Sequence, residues 1–252
     1  MKKRLDQIVQ EKLPQLSRNQ VSSFIVQGKV KVDGKVITKP GVQINEDAKI
    51  ETDISEPKFV SRAGFKLEKA LDHFQIDVNG LVALDAGIST GGFSDCLLQR
   101  GIKKVYGVDV GYGQVHEKIA SNPKVVVLER TNLRELKKLH SCPVILSEVE
   151  GPEKADLATL DLSFISVLKV MPAVSHLLKD NCQVIILIKP QFEAAKDQVG
   201  KGGIVRDEAI HEEVKEKIVS GLKEFGFKCR GIIESPITGS SGNKEFLGYF
   251  IR

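Results

Sequence analysis

The sequence contains no apolar stretch long enough to cross a membrane. Every apolar run falls short of the roughly 18 residues that a membrane span requires. Residues 1–6 are amphipathic and lack the apolar core of a signal peptide. These absences speak against a membrane protein and predict a protein of the cytoplasm.

Paired metal-binding or disulfide-forming residues are also lacking. The five histidines form no His-x-x-x-His pair, so we expect no metal enzyme. The four cysteines are widely spaced and form no Cys-x-x-Cys pair, which indicates reduced thiols rather than a disulfide framework or a zinc site. These cysteines are Cys96, Cys142, Cys182 and Cys229.

Composition and charge suggest a globular protein with a basic beginning. The 252 residues are 41% hydrophobic and 28% charged, unlike a disordered or collagen-like chain. The first 40 residues hold nine basic and three acidic residues, a net charge of +6, so the remaining 212 carry −2 of the overall +4. This distribution suggests an anionic polymer as partner, although a lysine-rich solvated surface explains it equally well.

Helices followed by a hairpin are predicted at the start of the chain. Ser17 and Gln20 have the spacing of a capping box that opens a second helix, and Gly28 is suited to end it. Residues 29–36 then alternate strictly around an Asp-Gly pair, which tolerates the positive φ of a type I′ turn. The alternation places two valines on one face and two lysines on the other: Val30 and Val32 against Lys29 and Lys31.

This part of the sequence resembles the RNA-binding domain named after ribosomal protein S-four. The resemblance covers residues 3–50 and is carried by residues 4–6, 17–20 and 28–36. It implies a pair of helices followed by a small sheet that binds structured RNA. The predicted RNA-binding set is Arg4, Arg18, Lys29, Lys31, Lys35 and Arg62. The predicted domain organisation is an RNA-binding domain at 1–56, a linker at 57–60 and a second domain at 61–252.

Beyond the linker, short apolar runs alternate with helical segments. We expect strands at 82–86, 104–109, 124–128, 157–162, 183–189, 228–234 and 245–251. We expect helices at 61–75, 92–101, 114–121, 166–179 and 207–225. This alternation predicts a doubly wound α/β domain with a mostly parallel sheet, whose ligand binds at the carboxyl ends of the central strands.

A glycine-rich turn favours a cofactor that carries a nucleoside. The pattern Asp85-x-Gly87-x-x-x-Gly91-Gly92 follows an apolar strand, and its glycines let the backbone approach a ligand. Asp109 ends the next strand 22 residues after Gly87, where an acid commonly holds ribose hydroxyls. Tight strand–helix packing alone is the weaker explanation. S-adenosylmethionine fits better than a nicotinamide dinucleotide, because the turn departs from the GxGxxG pattern that binds a pyrophosphate.

A further asparagine extends the predicted cofactor site. Asn132 follows the third strand and is equally consistent with an adenine contact and with a turn-forming role. The predicted cofactor-binding set is Asp85, Gly87, Thr90, Gly91, Gly92, Phe93, Asp109, Asn132 and Asp161.

Two ionisable residues stand at the ends of buried strands, where a hydrophobic core would not place them. They are Asp161 and Lys189. A lysine becomes a usable base when burial and a neighbouring cation lower its pKa. We expect Lys189, near Lys66, to accept the proton of a ribose 2′-hydroxyl while Asp161 and Glu245 orient the lysines. Taken singly, Lys66 is better explained as a solvated helix lysine and Glu245 as an exposed strand glutamate.

The body resembles the FtsJ-like ribose methyltransferases, and the whole chain resembles the TlyA family. The stretches that carry the resemblance are 60–67, 85–87, 90–93, 108–114, 129–132, 161–166, 189–193 and 200–203. It implies a Rossmann-like fold with a seven-stranded sheet after a small α+β domain. It also implies an S-adenosylmethionine-dependent enzyme that methylates the ribose 2′-hydroxyl of cytidine in 16S or 23S ribosomal RNA, free or in ribosomal subunits. The implied catalytic set is Lys66, Asp161, Lys189 and Glu245.

Two other functions are alternatives. Members of this family are often labelled hemolysins, but membrane lysis needs a long apolar helix, a large amphipathic hairpin or an export signal, and the sequence shows none. An RNA-binding protein without chemistry is the other alternative, and retention of all four catalytic-type residues speaks against it. Residues 196–207 form either a mobile loop that closes over RNA or an ordinary connection. The acidic insert at 147–154 receives no predicted function.

Overall fold

The computed structural model describes residues 2–14, 16–26, 28–53, 57–136, 154–239 and 242–252. The chain forms two compact units, Met1–Lys58 and Phe59–Arg252. The predicted linker at 57–60 spans this division. Of the acidic insert, residues 147–153 lie outside the described residues.

The described residues of the first unit form two helices and five short strands. They are β1 (Lys2–Arg4), α1 (Leu5–Lys12), α2 (Arg18–Val26), β2 (Val30–Val32), β3 (Lys35–Val36), β4 (Gln43–Asn45) and β5 (Ile50–Thr52). Strand β1 pairs with β4, while β3, β2 and β5 form an antiparallel sheet. The apolar faces of α1 and α2 pack on this sheet through Leu5, Val9 and Ile25, all fully buried.

The predicted capping box opens α2. The Ser17 N–H donates to Gln20 Oε1 at 2.7 Å, and the Gln20 N–H donates to Ser17 Oγ at 3.3 Å. These bonds satisfy two N–H groups at the helix start, which have no partner inside the helix.

Strands β2 and β3 form the predicted hairpin. Asp33 and Gly34 connect them with φ values of 50° and 77°, the positive values of a type I′ turn. Lys31 is exposed, whereas its two neighbours in β2 are buried. Lys35 pairs with Val32 across the hairpin, and directly paired residues share a face of the sheet. The exposed Lys35 therefore lies on the face opposite Lys31, so these two lysines do not form one row.

The second unit alternates strands and helices along the chain. Its described helices are α3 (Ala63–Phe74), α4 (Gly92–Gln99), α5 (Glu117–Ala120), α6 (Met171–Leu177), α7 (Pro190–Glu193) and α8 (Glu208–Glu224), with 3₁₀ turns at Leu133–Glu135, Val167–Lys169 and Lys196–Gln198. Its described strands are β6 (Val82–Ala86), β7 (Lys104–Val108), β8 (Val125–Leu128), β9 (Ala155–Leu160), β10 (Leu178–Ile188), β11 (Lys228–Glu234) and β12 (Phe246–Ile251).

Within the described residues these strands build the predicted mostly parallel, seven-stranded sheet. Their order is β11-β12-β10-β9-β6-β7-β8, and β12 runs antiparallel to both of its neighbours. The chain moves outward from β6 through β7 to β8, and then continues on the other side of β6 with β9. The order of strands therefore reverses between β6 and β9, and ligands bind beside the carboxyl ends of strands at such a point.

Hydrophobic cores cover both faces of the sheet, as expected for parallel strands. Leu84 faces the core formed with α6 and α8, whereas the adjacent Ala83 faces the core formed with α3 and α4. The buried strands hold their carboxyl ends in fixed positions, and the segments that follow those ends carry the polar residues described below.

The boundaries around β9 and β10 differ from the expected ones. Strand β9 ends at Leu160, so Asp161 follows the strand rather than lying within it. The expected helix 166–179 is a 3₁₀ turn followed by the shorter α6, and β10 begins at Leu178. This early start was hidden because residues 179–181 of the strand are polar and exposed, and its register shifts before Gln183.

Candidate active site

The glycine turn lies between the carboxyl end of β6 and the segment that follows β9. Gly87 has a φ of +85°, and a Cβ atom at this position would lie 2.5 Å from the backbone oxygen of Asp161. The Asp161 N–H donates to the carbonyl of Ala86 at 3.0 Å. Glycine is therefore required both for the backbone conformation and for the close approach of the Asp161 segment.

Asp85 supports the turn from below. It is fully buried, and its carboxylate accepts hydrogen bonds from Ser94 Oγ at 2.6 Å and from Thr159 Oγ1 at 2.9 Å. Burial raises the pKa of Asp85 to about 6, although both hydrogen bonds act in the opposite direction. Phe93 is likewise buried in the core beneath the turn. Both side chains are thus held in the interior beneath the turn, and the assignment of Asp85 and Phe93 to the cofactor site stays a prediction.

Asp109 lies beside the turn at the end of β7. Its half-buried carboxylate accepts hydrogen bonds from the backbone N–H groups of Ser89 at 2.9 Å and Gly111 at 2.7 Å. These bonds fix the carboxylate, which keeps further lone pairs for hydroxyl groups of a ligand. Thr90, in the same turn, is exposed, whereas Gly91 and Gly92 are buried. The structure thus brings Asp109 together with the predicted glycine turn.

Asn132 has a structural role. Its side chain accepts a hydrogen bond from the Arg134 N–H at 3.2 Å and donates one to Glu135 at 2.8 Å. It therefore caps the 3₁₀ turn that begins at Leu133. The turn-forming alternative is the one the structure shows, and an adenine contact stays a prediction.

A cleft of about 670 Å³ opens beside the turn, within the second unit. The start of α3, Ser89 of the turn and the segments after β9 and β10 line it, together with residues that precede β12. All four predicted catalytic residues lie along it, namely Lys66, Asp161, Lys189 and Glu245. The exposed Arg62 is also part of its wall.

The four charged residues form two lysine–carboxylate pairs. Lys66 Nζ lies 2.5 Å from Glu245 Oε2, and both side chains are buried, at 11% and 3% exposure. Lys189 Nζ lies 2.7 Å from Asp161 Oδ1 and also donates to Ser163 Oγ at 2.9 Å. Each lysine is thus oriented by one carboxylate, which is the arrangement expected if the carboxylates position the lysines and balance their charge.

Three residues of the cleft lie in stretches that carry the family resemblance but had no predicted role, namely Ser163, Phe164 and Phe192. Ser163 accepts the hydrogen bond from Lys189 described above. Phe164 is 91% exposed and has a φ of +65°, an unusual conformation for a bulky residue. Its ring lies 5.1 Å from that of Phe192. The role of Phe164 could have been predicted from its position just after a buried strand, because an aromatic side chain exposed there has no packing role.

A buried asparagine in the cleft wall was missed completely. Asn243 is 1% exposed, accepts a hydrogen bond from the Val205 N–H at 2.9 Å and donates one to the Gly203 carbonyl at 2.8 Å. It fastens the glycine-rich segment 196–207 to the segment that carries Glu245. No local sequence pattern predicts a contact between residues this far apart.

The predicted RNA-binding residues of the first unit differ in their surroundings. Arg4 donates two hydrogen bonds to Asp6, at 3.0 and 2.6 Å. Arg18 is exposed, and the half-buried Lys29 places its Nζ 5.4 Å from the centre of the Phe24 ring. Lys31 and Lys35 point to opposite faces of the hairpin, as described above.

Two other kinds of site are absent from the described parts of the chain. No group of three or more His, Cys, Asp or Glu side chains there could hold a metal ion. No helix among the same residues has the length and apolar character needed to cross a membrane.

Comparison with protein families identifies the class of protein. The model described as FtsJ-like methyltransferase matches residues 59–252, and the model described as S4 domain matches residues 3–50. The chain therefore belongs to the FtsJ-like methyltransferases and carries an S4 domain at its start, as the resemblances predicted.

Individual relatives narrow the family. The 16S/23S rRNA (cytidine-2′-O)-methyltransferase TlyA of Mycobacterium tuberculosis is 40% identical, over 92% of this chain and 83% of its own length. Hemolysin A of Brachyspira hyodysenteriae is 39% identical, over 98% of this chain and 99% of its own length. The solved structure of a "Putative hemolysin from Streptococcus thermophilus" has a TM-score of 0.74 and 37% identity, covering 100% of this chain and 88% of that chain. The chain is a member of the TlyA family, and its cofactor is S-adenosylmethionine.

Proposed function

We propose that this protein transfers a methyl group from S-adenosylmethionine to the ribose 2′-hydroxyl of a cytidine in ribosomal RNA, of the 16S or 23S type. The observation that carries the proposal is the pair of lysine–carboxylate contacts in one cleft beside the glycine turn. The TlyA relative of M. tuberculosis bears the name of this activity. The substrate is RNA alone or within a ribosomal subunit, and we therefore expect the protein to work in the cytoplasm.

The residues around the turn fit the cofactor. Gly87 lets the Asp161 segment lie directly against the turn, and the Asp109 carboxylate suits the hydroxyl groups of a ribose. Val110, next to Asp109, is 74% exposed and offers an apolar surface for a flat ring. Gly87, Thr90, Gly91, Gly92 and Asp109 would hold the cofactor. When bound, S-adenosylmethionine supplies a methyl group that is already activated by a positively charged sulfur.

The protein's own contribution is to position a ribose hydroxyl and to take its proton. In its neutral amine form Lys189 accepts that proton, and Asp161 and Ser163 hold the amine in a fixed direction. Lys66, held by Glu245, supplies a second amine that contacts the ribose and its phosphate. Holding the reacting groups in fixed positions raises the rate of methyl transfer, because the hydroxyl and the amine no longer have to meet by diffusion.

Phe164 supports RNA rather than a small molecule as the substrate. Its side chain is 91% exposed in the cleft wall, and Phe192 supports it from one side. An exposed aromatic ring gives an unpaired base a surface on which to stack, and such stacking is typical of proteins that bind single-stranded RNA. A base held here would bring its ribose towards the lysine pairs.

The S4 domain supplies the second contact with RNA. Arg18, Lys31 and Lys35 are exposed and carry positive charge. Contacts of this type bind phosphates and orient the nucleic acid without reading its sequence. Arg4 and Lys29 complete the set proposed for this unit, and Arg62 is proposed to contact RNA at the cleft of the second unit.

Replacing the proposed base tests the function directly. Lys189→Ala should lower the rate of methyl transfer to ribosomal RNA by at least about 100-fold, because a positioned base contributes roughly 10²–10⁴-fold. RNA binding should survive. The matched control is Lys179→Ala, since Lys179 pairs with Asp156 at the same 2.7 Å near the starts of β9 and β10.

The measurement is ribose methylation mapped on ribosomal RNA, together with RNA affinity. Wild-type protein that binds RNA and transfers no methyl group would favour the non-catalytic RNA-binding alternative. Full activity in Lys189→Ala would remove Lys189 from the role of base. Release of the contents of lipid vesicles by the wild-type protein would favour the hemolysin alternative.

A further inference from the structure

Glu193 is a buried carboxylate that the proposed chemistry does not use. It ends α7, is 3% exposed and does not line the cleft. Its Oε2 accepts a hydrogen bond from Ser166 Oγ at 2.6 Å, and its Oε1 accepts one from the Val167 N–H at 2.7 Å. Burial raises the pKa of Glu193, and both hydrogen bonds oppose that shift. A buried carboxylate is costly unless hydrogen bonds satisfy it, as these two bonds do.

The two hydrogen bonds join the segments that carry the lysine–carboxylate pair nearest the glycine turn. Asp161 begins the segment after β9, and Ser166 ends it, just before the 3₁₀ turn at Val167. Lys189 begins the segment after β10, and Glu193 ends it. The same two segments are therefore bound at one end by the Lys189–Asp161 contact and at the other end by Glu193.

The contact between Phe164 and Phe192 lies between these two ends. Their rings are 5.1 Å apart, and both residues line the cleft. A shift of one segment against the other would therefore change the lysine–carboxylate distance and the exposed aromatic surface together. Unlike the Lys189–Asp161 and Phe164–Phe192 contacts, the contact made by Glu193 lies away from the residues that line the cleft.

We propose that Glu193 is a positioning residue, whose carboxylate fixes the segment of Asp161 and Phe164 against the segment of Lys189 and Phe192. The catalytic part of this inference rests on the proposed function. Glu193 acts through its hydrogen bonds to Ser166 and Val167, and it touches neither RNA nor cofactor. It also caps the 3₁₀ turn from outside, since the side chain of Ser166 makes no capping bond of its own there.

The backbone of Glu193 has a separate anchor, which makes the carboxylate open to test. Lys217 Nζ donates to the Glu193 carbonyl at 2.5 Å, and the Ala194 N–H donates to the Pro190 carbonyl at 2.9 Å. Removing the carboxylate leaves both bonds in place. We therefore expect α7 to stay formed while the coupling between the two segments is lost.

The first measurement separates kcat from KM. Glu193→Ala should lower kcat for methyl transfer roughly 10- to 100-fold, because small misplacements of reacting groups have effects of that size. The affinity for S-adenosylmethionine should stay within about threefold, and KM for RNA should change less than kcat, because the S4 domain supplies a second RNA contact that Glu193 does not touch. Glu193→Gln, which keeps one acceptor oxygen, should recover part of kcat. As a single substitution, Ser166→Ala should lower kcat. In the Glu193→Ala background it should cause no further loss of kcat, because the partner of Ser166 is already absent.

Asp156→Ala is the matched control. The Asp156 carboxylate accepts hydrogen bonds from the Val82 N–H at 2.9 Å and from Lys179 at 2.7 Å, near the starts of the same strands. It should lower stability and leave kcat unchanged. A Glu193→Ala protein with kcat within about twofold of wild type would overturn the proposal. The proposal would also be overturned if Glu193→Ala and Asp156→Ala both lost kcat in proportion to their loss of stability.

Hydrogen exchange supplies a readout that does not depend on activity. Backbone amides of 161–169 should exchange faster in Glu193→Ala and Glu193→Gln than in the wild type, while amides of β6 keep their rates. Unchanged exchange at 161–169 would overturn the positioning role. A wild-type protein that transfers no methyl group, with faster exchange in the variants, would refute the proposed function and leave the coupling supported. If Glu193→Ala fails to fold, Glu193→Gln and Ser166→Ala carry the same measurements.

Discussion

Breaking the buried pair of Lys66 and Glu245 should destabilise the second unit strongly. The two side chains are 11% and 3% exposed, and Nζ and Oε2 lie 2.5 Å apart. Removal of one partner leaves the other charge away from water without compensation, which costs about 3–5 kcal/mol. We therefore expect Lys66→Met and Glu245→Leu each to lower the free energy of unfolding by about that amount.

Replacing both residues should cost less than replacing either one. The variant Lys66→Met/Glu245→Leu buries no charge, and two apolar side chains can pack where the ion pair stood. If the two effects were independent, the double variant would lose about 6–10 kcal/mol. Because both residues belong to the proposed catalytic set, the double variant should be folded but inactive in methyl transfer. Stability and activity are thereby separated in one protein.

Urea unfolding of the whole chain, followed alongside methyl transfer, is the assay. The control pair is Lys49 and Glu51, which lie 2.6 Å apart with side chains 77% and 44% exposed. Glu51→Gln should leave the free energy of unfolding nearly unchanged, because water and salt screen an exposed pair. A double variant of the buried pair that loses the full sum of the single losses would refute the reasoning, since it would show no coupling.

Two further predictions concern the glycine turn. Gly87→Ala forces a φ of +85° on alanine and a Cβ 2.5 Å from the Asp161 oxygen, so the affinity for S-adenosylmethionine should fall at least about tenfold by calorimetry. Gly80→Ala, at φ +74° with no atom within 4 Å, is its control and should bind normally. Burial raises the pKa of Asp85 from 3.8 to about 6, so the native state binds this proton more tightly than the unfolded chain. Its contribution to stability is therefore lost as pH rises from about 4 to about 6, on the order of 3 kcal/mol, and Asp85→Asn should flatten that dependence in unfolding curves. Identical pH profiles for the two proteins would contradict the assignment.

Local patterns predicted much of the fold because their causes are local. The Ser17–Gln20 capping box and the Asp33-Gly34 turn depend on residues within four positions of one another, and both are present. The strand at 82–86 was predicted at its observed bounds, because four of its five residues are apolar and all five are buried. Such signals need no knowledge of the rest of the chain.

Other features depend on contacts between distant parts of the chain. The sequence showed that Lys66 and Glu245 carry charge, but their contact spans 179 positions and follows from the packing of α3 against β12. Asp85 can be completely buried because the hydroxyl groups of Ser94 and Thr159 donate hydrogen bonds to its carboxylate. These two residues come from α4 and β9. The face of Lys35 follows from hairpin register, which alternation within a single strand does not specify.

Strands β9 and β10 show that residue type and pairing do not by themselves identify a functional site. Near their starts Asp156 pairs with Lys179, and just beyond their ends Asp161 pairs with Lys189, at 2.7 Å in both cases. The first lysine is 49% exposed, whereas the second is 11% exposed and lines the cleft beside the glycine turn. Salt and water screen the first pair, but they screen the second much less, so only the second can hold an amine in a fixed direction towards a substrate. If Lys179→Ala reduced methyl transfer as strongly as Lys189→Ala, this distinction between the two ends of the sheet would be wrong.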